Sequence, residues 1–342
     1  MRWWKRAFQR ARAPRTSDAA LREAIYALLD HDHERAQTML AQAARLDPDE
    51  IDAYLMLGRL YRDRGEVGRA IRIHQNLMLR TELSEQQTTE VLTELASDFR
   101  AGGFLRRAIA SFEEVLSREP RQPRALRELA GLLAAVQEHE RAIAVERKLA
   151  RAEGRDVAPR EAALWVEVAR KAEAEGRSGD ARKALKRAVR RDARNVEAWI
   201  LLGSLQAESK RTKGAIAAWR RVPEIDPKAG PRVYSQLAAG FASAGRPQDF
   251  DKLLGERLAK DPEDVEARLA LASALASRGE TDAALLELRN VLAQNPNHLE
   301  AHAALGRALL AAGREAEALQ GYRDLLGVLE RHGAGEAVER LE

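Results

Sequence analysis

The fold of this 342-residue chain is decided by one stretch, LGRLYRDRGEVGRA, at residues 57–70. Two small residues, Gly58 and Ala70, lie on either side of a turn signal, Arg64-Gly65-Glu66. Large apolar residues surround them at the spacing of helical turns. The stretch therefore predicts two short helices that cross closely where the side chains are small.

The same arrangement recurs along the chain every 34 residues or so. Each unit has a small residue at position 8, alanine at position 20 and, in several units, a proline at position 32 that ends the second helix. This pattern resembles the tetratricopeptide repeat. It predicts an all-α fold, a right-handed superhelical solenoid of about nine helix-turn-helix units. The units begin near residues 17, 51, 89, 123, 162, 196, 231, 265 and 299.

The repeat also sets the expected domain organisation. We expect a basic, aromatic tail at 1–16, the solenoid at 17–332 and a short tail at 333–342. Two units exceed 34 residues, with inserts near 83–85 and 154–156. A single unit cannot bury its apolar face, so neighbouring units must stack on one another.

Composition excludes several classes of function. The chain has no cysteine, which rules out disulfides, thiolate metal sites and thiol catalysis. His298 and His302 are four residues apart, but Leu299 stands where a zinc protease needs glutamate. The segment Asp30-His31-Asp32-His33-Glu34 falls at a predicted turn. We therefore predict no enzyme activity, no metal and no cofactor.

An arginine row is the first candidate binding site. Helix A positions 2, 5, 9 and 12 line the inner wall of such arrays, and several are arginine here. A row of guanidinium groups suits an acidic peptide or a carboxylate-rich surface. The alternative is ordinary surface arginine. The predicted groove residues are Arg59, Arg62, Arg100, Arg124, Arg127 and Arg170.

A basic patch is the second candidate, within residues 177–221, where thirteen basic residues meet four acidic ones. Such a patch could contact acidic protein, phosphate-bearing lipid or nucleic acid. The alternative is a solvated outer helix face, and no nucleic-acid reader motif is present. The residues of this patch are Arg182, Lys183, Lys186, Arg187, Arg190 and Arg191.

The N-terminal tail is the third candidate. Residues 1–16 carry six basic side chains and no acid, interleaved with aromatic residues. Such a tail could lie in a membrane interface with its cations against anionic headgroups. The alternative is a basic extension without a partner. The predicted membrane-surface residues are Trp3, Trp4, Lys5, Arg6 and Phe8.

Residues 57–67 and the following RAIRIHQNLM at 69–78 closely resemble the second repeat of the lipopolysaccharide assembly protein B family. Residues 83–86 and 95–102 are similar to that family's next segment. The likeness covers roughly residues 18–330, sharply at 54–115. It implies a cytoplasmic scaffold on the inner membrane. There the family adapts an ATP-dependent membrane protease to the deacetylase that commits carbon to lipid A.

Two features of that family are expected to be missing. The chain shows no N-terminal transmembrane run and no paired CxxC motifs of a rubredoxin-like zinc module. This is expected of a shortened member or of a paralogue with another role. We predict a cytoplasmic, peripheral protein-interaction scaffold that regulates lipopolysaccharide synthesis by presenting an enzyme to a protease. The alternatives are an assembly factor for another bacterial complex, or a membrane-surface binder that uses its basic patches.

One residue of the deciding region raises a separate question. His74 is at position 24, where other units have Phe112, Trp219 or Leu288. We therefore predict that His74 packs in the core, with one ring nitrogen bonded to a neighbour.

Overall fold

The computed structural model describes residues 16–331. In that range all regular secondary structure is helical, and short turns join the helices. It contains 18 α-helices, one short 3-10 helix and no strand among the described residues. The helices form nine consecutive pairs, which confirms the predicted helix-turn-helix units. Within the described range, no helix is long and apolar enough to cross a bilayer.

On a larger scale than the single repeat, the chain divides into two compact units of several repeats each. The first unit ends at Val168, and the second unit starts at Ala169. This boundary lies inside helix α9. In chain order, the first nine helices are α1 (Ser17–Leu29), α2 (His33–Leu46), α3 (Ile51–Asp63), α4 (Val67–Met78), α5 (Glu85–Ala101), α6 (Leu105–Arg118), α7 (Pro123–Ala135), α8 (His139–Glu153) and α9 (Ala158–Ala174). The remaining nine are α10 (Ser178–Arg191), α11 (Val196–Glu208), α12 (Thr212–Ile225), α13 (Pro231–Ser243), α14 (Gln248–Lys260), α15 (Val265–Ser277), α16 (Thr281–Gln294), α17 (Leu299–Ala311) and α18 (Glu315–Arg331). The 3-10 helix, Pro227–Ala229, follows α12.

Each helix pair reverses direction through one residue with positive φ. Glycine occupies this position in six of the nine pairs, as at Gly65, where φ is 78°. The other three pairs use His31, Gln137 and Lys210, with φ between 56° and 59°. Residues other than glycine rarely adopt this left-handed backbone conformation. These three turns therefore carry a conformational cost that glycine avoids.

The sequence predicts that the two helices of a pair cross at the small residues of positions 8 and 20, and the structure packs the side chain of position 24 directly against position 8. A Cβ atom added to Gly58 would lie 2.3 Å from Nε2 of His74. At the same position of the sixth pair, a Cβ atom added to Gly203 would lie 2.3 Å from Nε1 of Trp219. Only a residue without a side chain fits against these rings, so the glycines set the distance between the paired helices.

The predicted inserts lengthen helices rather than loops. Helices α5 and α9 each have 17 residues, whereas most other first helices of a pair have 13. Ser84 caps α5 by accepting from the backbone N–H of Gln87, and the Gln87 side chain accepts from the N–H of Ser84. The extra turn places the polar start of α5 beside the predicted arginine row.

Candidate partner-binding groove

Five of the six predicted groove arginines lie in the first unit, on helices α3, α5 and α7. Each of the five forms an ion pair with a carboxylate. Arg100 pairs with Glu128 at 3.1 Å, and Arg127 pairs with Glu153. The Arg100 and Arg127 side chains remain 49% and 64% exposed. The arginine row is therefore a lattice of ion pairs whose outer members remain open to solvent.

Three arginines of this lattice converge on one carboxylate, Glu94 of helix α5. Arg59, Arg62 and Arg124 approach its oxygens at 3.0, 2.8 and 2.7 Å. The Glu94 side chain has no exposed surface, whereas Arg59 and Arg124 remain 38% and 48% exposed. These two guanidinium groups are therefore anchored from within the protein and still reach solvent.

Arg62 has a different environment. Its side chain is only 13% exposed, and its second terminal nitrogen donates to Asp98 at 2.8 Å. On the other side of Asp98, Nδ1–H of the fully buried His74 donates at 2.5 Å. The prediction that His74 packs in the core with one bonded ring nitrogen is thus confirmed. Arg62 connects the second repeat to the third and presents little surface to a partner.

The electrostatics of Glu94 favour its charged form. Burial alone would raise the pKa of Glu94, but the hydrogen bonds from Arg124 and Arg62 and the charges of Arg59 and Arg124 outweigh it and lower that pKa. Burial likewise opposes the charge of Arg62, yet its bonds to Glu94 and Asp98 raise the Arg62 pKa. The cluster is thus stable as a set of charges because each charge has opposite neighbours.

Helix α5 also buries hydroxyl side chains beside Glu94 and Asp98, and these hydroxyl groups form hydrogen bonds within the helix. Thr93 donates to the carbonyl of Thr89 at 2.7 Å, and Ser97 donates to the carbonyl of Thr93 at 2.9 Å. The hydroxyl oxygen of Ser97 also accepts from Arg124 at 3.4 Å. The polar stripe of α5 therefore places Glu94 and Asp98 in fixed positions.

An open cleft of about 300 Å³ lies beside this lattice. Its walls are the start of α5 and the loop that leads into α7. Arg124 and Glu90 both line the cleft, and Glu90 accepts from Arg59 at 3.2 Å. The other lining residues are Gln86, Thr89, Thr93, Glu119, Gln122 and Pro123. The cleft is lined by one guanidinium group, that of Arg124, and by two carboxylates, those of Glu90 and Glu119, so a partner carboxylate is expected only on the Arg124 side.

Arg170, the sixth predicted groove arginine, belongs to the second unit. It donates to Glu197 of α11 at 2.7 Å, and Glu197 also accepts from Arg232 at 2.7 Å. The hydrogen bond from Arg232 is the main reason that the pKa of Glu197 is lowered. The second unit thus repeats the motif of arginines around one carboxylate, here with about a third of the carboxylate exposed.

The basic patch lies on helix α10. Lys183, Lys186, Arg187, Arg190 and Arg191 are exposed, and Arg182 is half-buried. Asp180, the acidic residue of this helix, accepts from Lys183 at 3.2 Å. The predicted membrane-surface residues Trp3, Trp4, Lys5, Arg6 and Phe8 lie outside the described residues.

The two histidine-rich segments have structural roles. Asp32 caps helix α2 by accepting from the N–H of Arg35 at 3.1 Å, and His31 is the positive-φ residue of its turn. His298 caps helix α17 through the N–H of Ala301. Nε2–H of His302 donates to the Pro296 carbonyl at 2.8 Å. These contacts account for the composition of both segments.

Sequence reasoning missed the acidic residues that neutralise the arginine row. The repeat pattern does not specify them, since they occupy variable helix positions. One signal was available, because Glu90 follows Arg59 by 31 residues and Asp98 follows Arg62 by 36, about one repeat in each case. Opposite charges one repeat apart on facing helices indicate ion pairs between neighbouring repeats.

A family model described as tetratricopeptide repeat matches residues 9–297, and a second model with that description matches residues 275–327. The chain belongs to the tetratricopeptide-repeat family. This membership agrees with the nine helix pairs and supports the prediction of a binding scaffold rather than an enzyme.

The chain is also similar to named relatives. It is 27% identical over 258 residues to Lipopolysaccharide assembly protein B of Escherichia coli strain K12, a match that covers 75% of this chain and 66% of that protein. The protein of the same name from Haemophilus influenzae is 27% identical over 242 residues, covering 70% and 60%. These matches confirm the predicted resemblance. The chain spans no more than 66% of the length of either relative.

Among solved structures, a tetratricopeptide repeat protein from Parabacteroides merdae ATCC 43184 is 12% identical and covers 86% of this chain and 98% of its own, with a TM-score of 0.39. The MamA protein is 20% identical and covers 51% and 95%, with a TM-score of 0.38.

Proposed function

We propose that this tetratricopeptide-repeat scaffold binds a carboxylate-rich segment of a partner protein along the arginine lattice of its first unit. The observation that carries the proposal is the exposure of Arg59 and Arg124, which share the buried Glu94 and still present N–H donors to solvent. A guanidinium has five N–H donors in a planar fork, and Glu94 uses only part of them. A partner carboxylate can therefore bind these arginines while their bonds to Glu94 stay intact.

One internal carboxylate already occupies such a place. Glu90 is 46% exposed and accepts from Arg59 at the mouth of the cleft. Exposed ion pairs contribute only about 0–1 kcal/mol, so exchange of Glu90 for a partner carboxylate has a small cost. The buried Glu94 and Asp98 stay in place and keep the arginines oriented.

For the biological role, we propose that the scaffold acts at the cytoplasmic face of the inner membrane in the regulation of lipopolysaccharide synthesis. In this role it presents a lipid A biosynthetic deacetylase to a membrane-bound ATP-dependent protease. The names of its relatives support this role, together with the resemblance at residues 54–115. The groove would supply the contact to one of these two proteins.

The test is direct binding of the intact chain to the purified deacetylase and to the purified protease of the same organism. We expect one of them to bind wild type and to lose most affinity in the double variant Arg59→Glu/Arg124→Glu. The matched control is Arg72→Glu/Arg151→Glu, which reverses two exposed cations on α4 and α8. If neither protein binds, or if both variants weaken binding equally, the proposed role is wrong. Retention of an unrelated complex by wild type alone would favour the assembly-factor alternative.

A further inference from the structure

We propose that the outer face of helix α10 is a docking surface for an anionic phospholipid layer. This α10 face consists of the six basic residues Arg182, Lys183, Lys186, Arg187, Arg190 and Arg191. It is separate from the arginine lattice of the first unit, and the inference goes beyond the proposed scaffold function. It rests on how the charges of α10 are distributed and on which side chains surround them.

The geometry of α10 directs its cations outward. The helix buries only small and aliphatic residues, Ala181, Ala184, Leu185 and Ala188. Between Arg182 and Arg191, the positions outside this buried set are all lysine or arginine, apart from the half-buried Val189. A helix with such a division packs by one narrow stripe and exposes a broad cationic face.

Two cations of the α10 face, Lys186 and Arg190, lack acidic partners of the kind that the groove arginines have. Asp180 accepts from Lys183 and from Arg177, and it is the acid of this helix. The side chains of Lys186 and Arg190 have no hydrogen-bond or ion-pair partner among the described residues. On α12, Lys213 and Arg220 are also exposed and have no partner within that range. The positive charges of Lys186 and Arg190 are therefore unpaired within the described residues, in contrast to the arginines of the ion-pair lattice.

The surroundings of the α10 face favour a lipid layer over a protein or a nucleic acid. Among the described residues, no large hydrophobic side chain is exposed between Phe104 and Leu286, so a protein partner would find no apolar anchor. The nearby Trp199 is engaged, since its Nε1 donates to the Ala193 carbonyl at 2.9 Å and Arg221 stacks on its ring. The part of helices α10 to α12 that the structure describes therefore offers no exposed aromatic ring for base stacking. A layer of anionic headgroups needs only a dense set of cations.

The experiment is a vesicle flotation assay with the full chain at about 0.1 M salt, where charges act over roughly 10 Å. Vesicles of phosphatidylglycerol and phosphatidylcholine are compared with vesicles of phosphatidylcholine alone. Each basic residue near an anionic surface adds about five-fold to binding, so Lys186→Glu/Arg190→Glu should weaken it at least about 30-fold. The charge-preserving variant Lys186→Arg/Arg190→Lys should bind like wild type.

Two further controls separate the α10 face from other basic regions. Lys252→Glu/Lys260→Glu makes the same change in net charge on exposed positions of α14 and should leave binding within about two-fold of wild type. A background with all six basic residues of the N-terminal tail replaced by glutamine removes their charge from the comparison; these residues are Arg2, Lys5, Arg6, Arg10, Arg12 and Arg15. In that background the α10 variant should show the same relative loss.

Several outcomes would overturn the inference. One is failure of wild type to float with the anionic vesicles, and another is flotation of the α10 variant equal to that of wild type. Equal losses in the α10 and α14 variants would show that only net charge matters. Binding to single-stranded RNA that depends on Lys186 and Arg190, without vesicle binding, would assign the surface to nucleic acid instead. Thermal unfolding of each variant verifies that its fold is intact.

Discussion

Two interfaces between neighbouring repeats use the same positions with opposite chemistry. Between the second and third repeats, Arg62 reaches across to Glu94 and Asp98. Between the eighth and ninth repeats, the equivalent positions are Ala276, Ala304 and Ala308. Ala308 is buried in an apolar cluster that Ala304 packs against.

The difference shows that the repeat fixes where helices meet but leaves the chemistry of the contact free. The alanine interface stabilises the stack by removing apolar surface from water. The Arg62 interface stabilises it only while every charge has its partner, because an unpaired buried charge is costly. We therefore expect substitution of Arg62 to cost far more than substitution at the equivalent position of the eighth repeat, Ala276.

The largest expected effect is that of Arg62→Ala. It leaves Asp98 with only His74 and removes one of three arginines from Glu94, so the free energy of unfolding should fall by about 3–5 kcal/mol. At the equivalent position of the eighth repeat, Ala276 is exposed, and Ala276→Gln should change it by less than about 0.5 kcal/mol. Urea denaturation followed by circular dichroism measures both. Similar losses in the two variants would contradict the comparison.

A second effect depends on pH. Because the folded-state pKa of Glu94 is below its ordinary value of 4.5, its stabilisation is complete above that value and is lost as pH falls through the lowered pKa. We expect Glu94→Gln to be less stable than wild type by about 2–3 kcal/mol at neutral pH. Below the lowered pKa of Glu94, the two proteins should converge in stability. A difference that stays constant down to that acidic range would show that the charge of Glu94 is not the cause.

The helix crossings provide a smaller effect. In Gly58→Ala, the new methyl group meets the His74 ring, which is fully buried and bonded to Asp98. We expect a loss of about 1–3 kcal/mol. In Gly306→Ala, the neighbouring Tyr322 ring is half-buried and can shift, so the loss should be smaller. Thermal denaturation of the pair of variants compares them, and an equal loss would mean that the polar network does not hold the His74 ring.

The smallest effect is a gain. Lys210 adopts a φ of 56° at a turn where six other repeats have glycine. Lys210→Gly should therefore raise the free energy of unfolding by up to about 1 kcal/mol, and Gly279→Lys should lower it by a similar amount. Urea denaturation measures both changes. A loss in Lys210→Gly would indicate that the lysine side chain contributes contacts that outweigh the backbone cost.

The sequence predicted the features that the repeat itself requires. The nine helix pairs, the small residue Gly58 at a close helix contact, the core position of His74 and the glycine turns all follow from residue size and backbone freedom. The acids around the arginine row could not be predicted in the same way, because Glu94 and Asp98 occupy positions that the repeat leaves variable. Their role depends on which helix faces them one repeat earlier. The contrast between the neutralised groove arginines and the unpaired Lys186 and Arg190 of α10 became visible only when the partners of each basic residue were known.

The most direct test of the proposed groove is a titration of the intact chain with a fluorescent glutamate-rich peptide. If a partner carboxylate replaces Glu90 at Arg59, Glu90→Gln should tighten peptide binding, because the internal competitor is gone. Arg59→Glu/Arg124→Glu should abolish binding, and Arg72→Glu/Arg151→Glu should leave it near the wild-type level. Tighter binding in Glu90→Gln is the result that the account predicts. Weaker or unchanged binding in that variant would contradict it.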